Sequence, residues 1–279
     1  MNYALYKNRL IAFLDILGFK KQLEINDLNS LHSTYAALID EANSKIFQAN
    51  TIPGSQVPYE VNFEKATFLF DSIVLVSKPT EDIQNIGKFI LSISLLMDKA
   101  HSQGMPLRGG ITYGDFLDDK ERDIFLSREF ADLVKIEQQQ EWAGCILLHK
   151  AESLVLKAIF GTAPSEIRSS QPLIPFRVPF KKEEDSNIYW CINWSHLMDE
   201  NLILPFIDGL ISPKKEYTEE FVKHARALPD DSQTLSQEFY PAVKFKILKA
   251  RSGCQFKFFD KTGKGVRPGC AEWTFAIYE

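Results

Sequence analysis

The sequence predicts one mixed α/β or α+β sheet with helices on one face. Three observations lead there. Over the first 150 residues, short apolar runs of strand length alternate with segments of helical spacing. The order reads strand, helix, hairpin, helix, strand, helix, strand. Two aspartates lie inside strand-like runs, Asp15 in Phe13-Leu14-Asp15-Ile16-Leu17-Gly18-Phe19 and Asp71 in Phe68-Leu69-Phe70-Asp71-Ser72-Ile73-Val74-Leu75-Val76. The 279 residues are 45% hydrophobic and 25% charged, which suits a globular chain of one large or two small domains.

Leu10 to Leu17 reads as a buried strand. Asn29-Ser30 is placed to cap a helix running through Leu31, Tyr35, Leu38 and Ile39 towards Phe47. Pro53-Gly54-Ser55 and Pro58 mark a loop. Tyr59–Phe68 and Ser72–Val76 follow as paired strands with Asp71 at their join. Thr80-Glu81-Asp82 opens a helix whose Ile86, Ile90, Ile93 and Leu96 form an apolar stripe, ending near Gly104. Leu107–Tyr113 is a strand carrying Arg108, and its Gly109-Gly110 pair signals close backbone approach. Residues 115–123 are charged and read as an exposed hairpin. Ser127–Gln140 is a helix and Gly144–Leu148 a strand. Later come a strand at Tyr189–Trp194, a charged helix at Pro213–Leu228, and strands at Lys244–Leu248, Phe256–Phe259 and Trp273–Tyr278. The proline-rich stretch 172–179 is either a boundary or a sheet-edge turn.

A net charge of -5 without a basic block disfavours broad nucleic-acid binding. Cys145, Cys191, Cys254 and Cys270 form no C-x-x-C pair and no zinc-finger spacing. They fit a reducing compartment, and the chain is expected in the cytoplasm. No run reaches membrane-spanning length, and Met1–Leu10 is too polar for a signal peptide.

A carboxylate among strand residues is costly to bury unless something pairs with it. Two of them, brought to one sheet edge, suit a shared divalent metal site with ions ~3.5–4 Å apart. The alternative is that each caps a turn. Gly18 would free backbone N–H groups to face an anion, the alternative being an ordinary strand-to-helix turn. Arg108 suits bidentate phosphate contact or a salt bridge. Lys135 could stabilise charge on a phosphoryl group, or pair with a nearby glutamate on an exposed helix. Gly263-Lys264-Gly265 lacks the full phosphate-loop pattern and reads as a turn.

These residues resemble the class III nucleotidyl cyclase family. Phe13–Phe19 matches its first metal motif, F-x-D-I-x-G-F. Asp71 matches the second metal aspartate. Arg108-Gly109-Gly110-Ile111-Thr112-Tyr113-Gly114 matches R-x-G-I-x-x-G, whose arginine binds triphosphate. Ala131 to Glu137 stands where the family carries N-x-x-x-R-L-E, with Lys135 in place of the transition-state arginine and Ala131 in place of the asparagine. The matches span residues 10 to 150. The adenine-reading lysine falls at Thr67 and its aspartate at Ile124, so neither a typical adenine nor a typical guanine pair is present. In this the chain is similar to the pyrimidine cyclases of bacterial Pycsar anti-phage systems.

The resemblance implies a ferredoxin-like α+β catalytic domain over 1–195, with a C-terminal α/β elaboration over 196–279. It implies two Mn²⁺ or Mg²⁺ ions held by Asp15, Asp71 and the Ile16 carbonyl. Leu17, Gly18, Phe19 and Arg108 would take the phosphates, Lys135 would be catalytic, and Thr67 and Ile124 would line the base pocket. The expected reaction closes UTP or CTP to a 3′,5′-cyclic nucleotide with release of pyrophosphate, in a homodimer whose product a separate effector reads. No nucleic-acid or membrane partner is expected. A cyclase-like protein that only binds nucleotide is the alternative.

Overall fold

At the centre of the sheet lies β1 (Tyr3–Ile16), with β3 (Ser72–Ser77) on one side and β4 (Leu107–Asp119) on the other, both antiparallel. The computed structural model describes residues 3–46, 62–122, 124–162, 172–182, 187–196, 198–227, 255–259 and 274–278. β2 (Phe63–Leu69) closes one edge as the hairpin partner of β3. The order β2-β3-β1-β4 is that of a ferredoxin-like βαββαβ unit, so the α+β class expected from the sequence is the one observed. The sheet continues through β6 (Cys145–Leu147), β8 (Asn187–Ile192) and β7 (Leu173–Val178). β6 runs parallel to β4; β5 (Ile124–Leu126) folds back on the far end of β4.

Leu10 to Leu14 and Ile16 are all buried, which requires cover on both faces of β1. α3 (Ile83–Ser102) supplies one side. Its Ile86, Phe89, Ile90, Ile93, Leu96 and Met97 are fully buried, each contributing about 2 kcal/mol relative to exposure. α4 (Arg128–Glu137) lies on the face that carries Phe13, as the Phe13–Phe130 edge contact at 5.4 Å shows. Gly110 permits this approach, since a Cβ there would stand 2.8 Å from Leu133 Cδ1. Gly109 has the other close neighbour that the sequence signals: a Cβ would meet the Phe13 carbonyl at 1.9 Å.

Capping follows side-chain chemistry. Asp82 accepts from the Gln84 N–H and Ser127 from the Phe130 N–H. At α2 (Leu28–Glu41) the cap is Asp27, not Asn29-Ser30, whose N–H groups are the donors that Asp27 satisfies. α1 (Phe19–Ile25) precedes it, a short helix the apolar periodicity did not signal. α5 (His149–Leu156) was likewise unsignalled.

Of the stretch expected as an exposed hairpin, residues 115–122 are described, and they are not uniformly exposed. β4 runs on to Asp119, and Phe116 and Asp118 are fully buried. The proline-rich stretch 172–179 is β7, an edge strand, where Pro175 removes no needed donor. α6 (Glu200–Asp208) and α7 (Lys214–Ala227) pack through aromatics: Phe206 stacks on His101 at 4.4 Å, and Phe221 meets Trp142 at 4.8 Å. β9 (Gln255–Phe259) and β10 (Thr274–Tyr278) pair with each other. The strand expected at 244–248 and the turn at 263–265 lie outside the described residues.

Candidate active site

Asp15 stands one residue before the end of β1. Its cross-strand neighbours are Ser72 on β3 and Arg108 on β4, so the three side chains share the face that α4 packs on. Asp71 occupies the second position of the two-residue turn between β2 and β3. The first position, Phe70, has φ 54°, a left-handed conformation that glycine normally takes. Its ring lies 5.1 Å from Phe19, edge on. The Ile16 N–H donates to the Asp71 carbonyl at 2.8 Å, which ties the turn to the end of β1.

The two carboxylates converge on one hydroxyl. Ser72 Oγ lies 3.4 Å from Asp15 Oδ1 and 3.3 Å from Asp71 Oδ1. Burial lifts the Asp15 carboxyl to about 7, reinforced by the charges of Glu137 and Asp71 and opposed by Arg108 and the Ser72 hydrogen bond. Burial and the Asp71 charge also push the Tyr35 phenol up to about 12; its hydroxyl is buried without a partner among the described residues. The sequence placed Tyr35 in an apolar stripe, and nothing in its spacing reveals this second role.

Arg108 is engaged on all sides. Nε donates to Glu137 Oε1 at 2.5 Å, Nη2 also contacts Glu137 Oε1, and Nη1 donates to the Gln140 carbonyl at 2.8 Å. Nη2 stands 4.0 Å from Asp15 Oδ2. The guanidinium therefore ties β4, which carries it, to the C-terminal end of α4, and its fork is spent on that task. Leu17 brings no spare amide to an anion, because its N–H donates to the Pro106 carbonyl at 2.8 Å. Gly18, at φ 74°, forms the turn into α1, and its carbonyl accepts from the Gln22 N–H. Phe19 is buried.

Lys135 is exposed on α4 and does not join Asp15 and Asp71 within one chain. It borders a separate groove of about 630 Å³, shared with Thr112, Glu129, Asp132, Gln139 and Lys150. Thr67 pairs with Val74, itself opposite Phe13, so it faces the α4 side. Ile124 does not meet it. Ile124 alternates with Phe125, which pairs with Asp118, so Ile124 points away from that side and is 41% exposed. Two residues along β2 from Thr67, Lys65 reaches Asp118 instead. Its Nζ is 2.5 Å from Asp118 Oδ1 and 4.1 Å from the Phe125 ring centre. Asp118 Oδ2 is buried with no partner among the described residues. An ion pair thus exists beside the expected base pocket, where position-by-position matching finds none.

The donor set suits a hard cation that keeps substrate and water ligands. Mg²⁺ and Mn²⁺ are commonly held by one or two carboxylates plus phosphate oxygens. Asp15 and Asp71 supply two, and their mutual repulsion is the imbalance a cation relieves. Among the described residues no cluster of three or more His, Cys, Asp or Glu side chains forms a closed metal cage.

No family model matches the sequence, and no curated protein matches it. Several solved structures of similar chain path are distant in sequence. The adenylyl cyclase CyaB from P. aeruginosa is 15% identical, with TM-score 0.43 over 69% of this chain and 97% of that one. The monomeric guanylyl cyclase domain of the RhoGC fusion protein from the aquatic fungus Blastocladiella emersonii is 11% identical, with TM-score 0.46 over 68% and 98%. A class III adenylyl cyclase-like ATP-binding protein from Pseudomonas aeruginosa is 15% identical, with TM-score 0.40 over 84% and 44%.

Proposed function

We propose that this chain is a nucleotidyl cyclase that converts a nucleoside triphosphate to its 3′,5′-cyclic monophosphate and pyrophosphate. The observation that carries the reading is the convergence of Asp15 and Asp71 on Ser72 Oγ, at the end of β1. Two divalent cations held by Asp15, Asp71 and the Ile16 carbonyl would acidify the ribose 3′-hydroxyl and neutralise the triphosphate. In the reaction the 3′-oxygen loses its proton and bonds to the α-phosphorus, while the bond from that phosphorus to the bridging oxygen breaks. Gly18 and Phe19 shape the turn beside the phosphates. The Asp71 carbonyl, held by Ile16, keeps the turn in register with β1.

Lys135 belongs in this scheme as the group that neutralises developing negative charge. Its exposed place on α4 suits delivery to the site of a second copy, so a two-fold homodimer is part of the proposal. The substrate proposed is UTP or CTP, on the strength of Thr67 in place of a purine-reading lysine and of the Pycsar resemblance. Its cyclic product would be a second messenger in anti-phage defence, read by a separate effector; that role rests on the Pycsar resemblance alone.

Incubation with each of the four nucleoside triphosphates and Mn²⁺ tests the reading. A cyclic pyrimidine product from the wild type, and none from folded Asp15→Ala, is expected. Normal turnover by Asp15→Ala refutes the metal assignment. A second reading is a nucleotide-binding sensor without turnover. It is favoured by Arg108, whose fork is occupied by Glu137, and by Ala131 and Lys135 at the helix positions. Saturable nucleotide binding without product supports it.

A further inference from the structure

We propose that Glu137 is a positioning residue that holds the Arg108 cation away from Asp15, leaving the Asp15 carboxylate open to a divalent metal. The inference rests on the metal-site reading above.

Arg108 and Asp15 are directly opposed on neighbouring strands. A guanidinium stays charged at any ordinary pH and seeks carboxylate oxygens bidentately. Left alone, Arg108 would close on Asp15 and occupy the lone pairs a metal needs. It does not. Its Nε and Nη2 both go to Glu137 Oε1, while Asp15 Oδ2 remains at 4.0 Å, beyond hydrogen-bond distance.

The anchor is rigid. Glu137 is 3% exposed, at the last turn of α4. The third nitrogen, Nη1, is held by the Gln140 carbonyl. The Gln140 side chain donates to the Gly109 carbonyl at 3.0 Å and accepts from Trp142 Nε1 at 2.9 Å, all in the core. Arg108 is thus set at a fixed distance from Asp15 by groups on α4 and the segment after it. A phosphate could take the fork only by stripping a buried carboxylate of its partner, a step that leaves an uncompensated charge. The geometry therefore assigns Arg108 and Glu137 to arranging the metal carboxylate, and not to gripping triphosphate.

The test is Mn²⁺ uptake by the purified full chain without nucleotide, followed by the electron paramagnetic resonance of free Mn²⁺. Wild type should bind Mn²⁺ and Asp15→Asn should not. Glu137→Gln keeps the shape and an acceptor but loses the charge, so Arg108 turns to Asp15 and Mn²⁺ binding weakens about tenfold. Glu137→Asp keeps the charge and should bind to within about threefold of wild type. The double variant Arg108→Gln, Glu137→Gln removes the competing cation and should recover most of the lost affinity, a rescue that general damage to the fold would not give. Thermal unfolding of each variant checks that it is folded. Unchanged uptake in Glu137→Gln overturns the proposal, as does a double variant as weak as the single one. If Glu137 only stored Arg108 for the triphosphate, Glu137→Gln would lower KM for the nucleotide and leave Mn²⁺ uptake alone, which also overturns it. Wild-type uptake that survives Asp15→Asn removes the metal-site reading itself, a distinct result.

Discussion

The backbone of Ile16 holds the backbone of Asp71: an N–H to carbonyl bond of 2.8 Å joins the end of β1 to the turn of the β2–β3 hairpin. A main-chain bond has no rotamer to lose, so the spacing between the backbones that carry the Asp15 and Asp71 carboxylates is set by the sheet itself. Their chemistry can then be tuned by side chains without loss of register.

Ser72 is one such tuner. Its hydroxyl stabilises ionised Asp15 and so restrains the rise of that carboxyl, which burial still lifts to about 7. Mn²⁺ affinity should rise about tenfold per pH unit up to that value and level off above it. In Ser72→Ala the break should move to higher pH. Mn²⁺ titrations between about pH 5 and 8 read both effects.

The same shift has a stability consequence. A carboxyl raised in the fold favours the folded state below its unfolded value and loses that contribution as pH rises through about 7. Asp15→Asn should therefore stabilise the metal-free chain at pH 8. The gain should be about 2 kcal/mol, since the side chain is still 23% exposed, and should vanish near pH 4. Urea unfolding at the two pH values measures it.

Lys65 and Asp118 form a nearly dry ion pair, at 13% and 0% side-chain exposure. Lys65→Met strands the Asp118 carboxylate and should cost about 3–5 kcal/mol, whereas Lys65→Met with Asp118→Leu should regain most of it. If the pair borders the base pocket, the double variant should also change the relative kcat/KM of the four nucleoside triphosphates. A variant with restored stability and an unchanged preference order would limit the pair to a structural role.

Gly109→Ala places a methyl group 1.9 Å from the Phe13 carbonyl, a backbone atom that cannot move aside without parting β1 from β4. A loss of about 3 kcal/mol is expected in chemical denaturation. Loss of metal uptake should accompany it, because β1 and β4 carry Asp15 and Arg108.

His101 accepts the Leu107 N–H through Nε2 at 3.0 Å in a fully buried setting, and burial lowers it to about 3. Its neutral form stabilises the fold above the unfolded value near 6.5, and that contribution is lost as pH falls towards 3. His101→Gln should be less stable than wild type at pH 7 by about 1–3 kcal/mol, and the gap should narrow at pH 4. Unfolding midpoints at both values test this.

Much of the central sheet was readable because its strands carry apolar runs bounded by glycine or charge. Asp15 stood out as a carboxylate no strand would bury without cause, and Gly109 as a glycine no strand would choose. The limits had physical reasons too. α1 is too short for a periodic stripe. β7 hid behind Pro172, Pro175 and Pro179, which an edge strand tolerates. Asp118 looked like one more surface charge in 115–123, since only the fold of β5 onto β4 buries it.

Residue type and local order determined a mixed α/β or α+β sheet, the β1–turn unit with Asp15, and the hairpin with Asp71. They could not determine what each charge would face. Arg108 reads equally well as a phosphate grip or as half of a salt bridge, and the carboxylate it meets in this fold, Glu137, stands 29 positions later. Electrostatic partners are chosen by distance in space. A charge's neighbours across strands and helices are set only when the chain closes, so the site's wiring belongs to the tertiary structure alone.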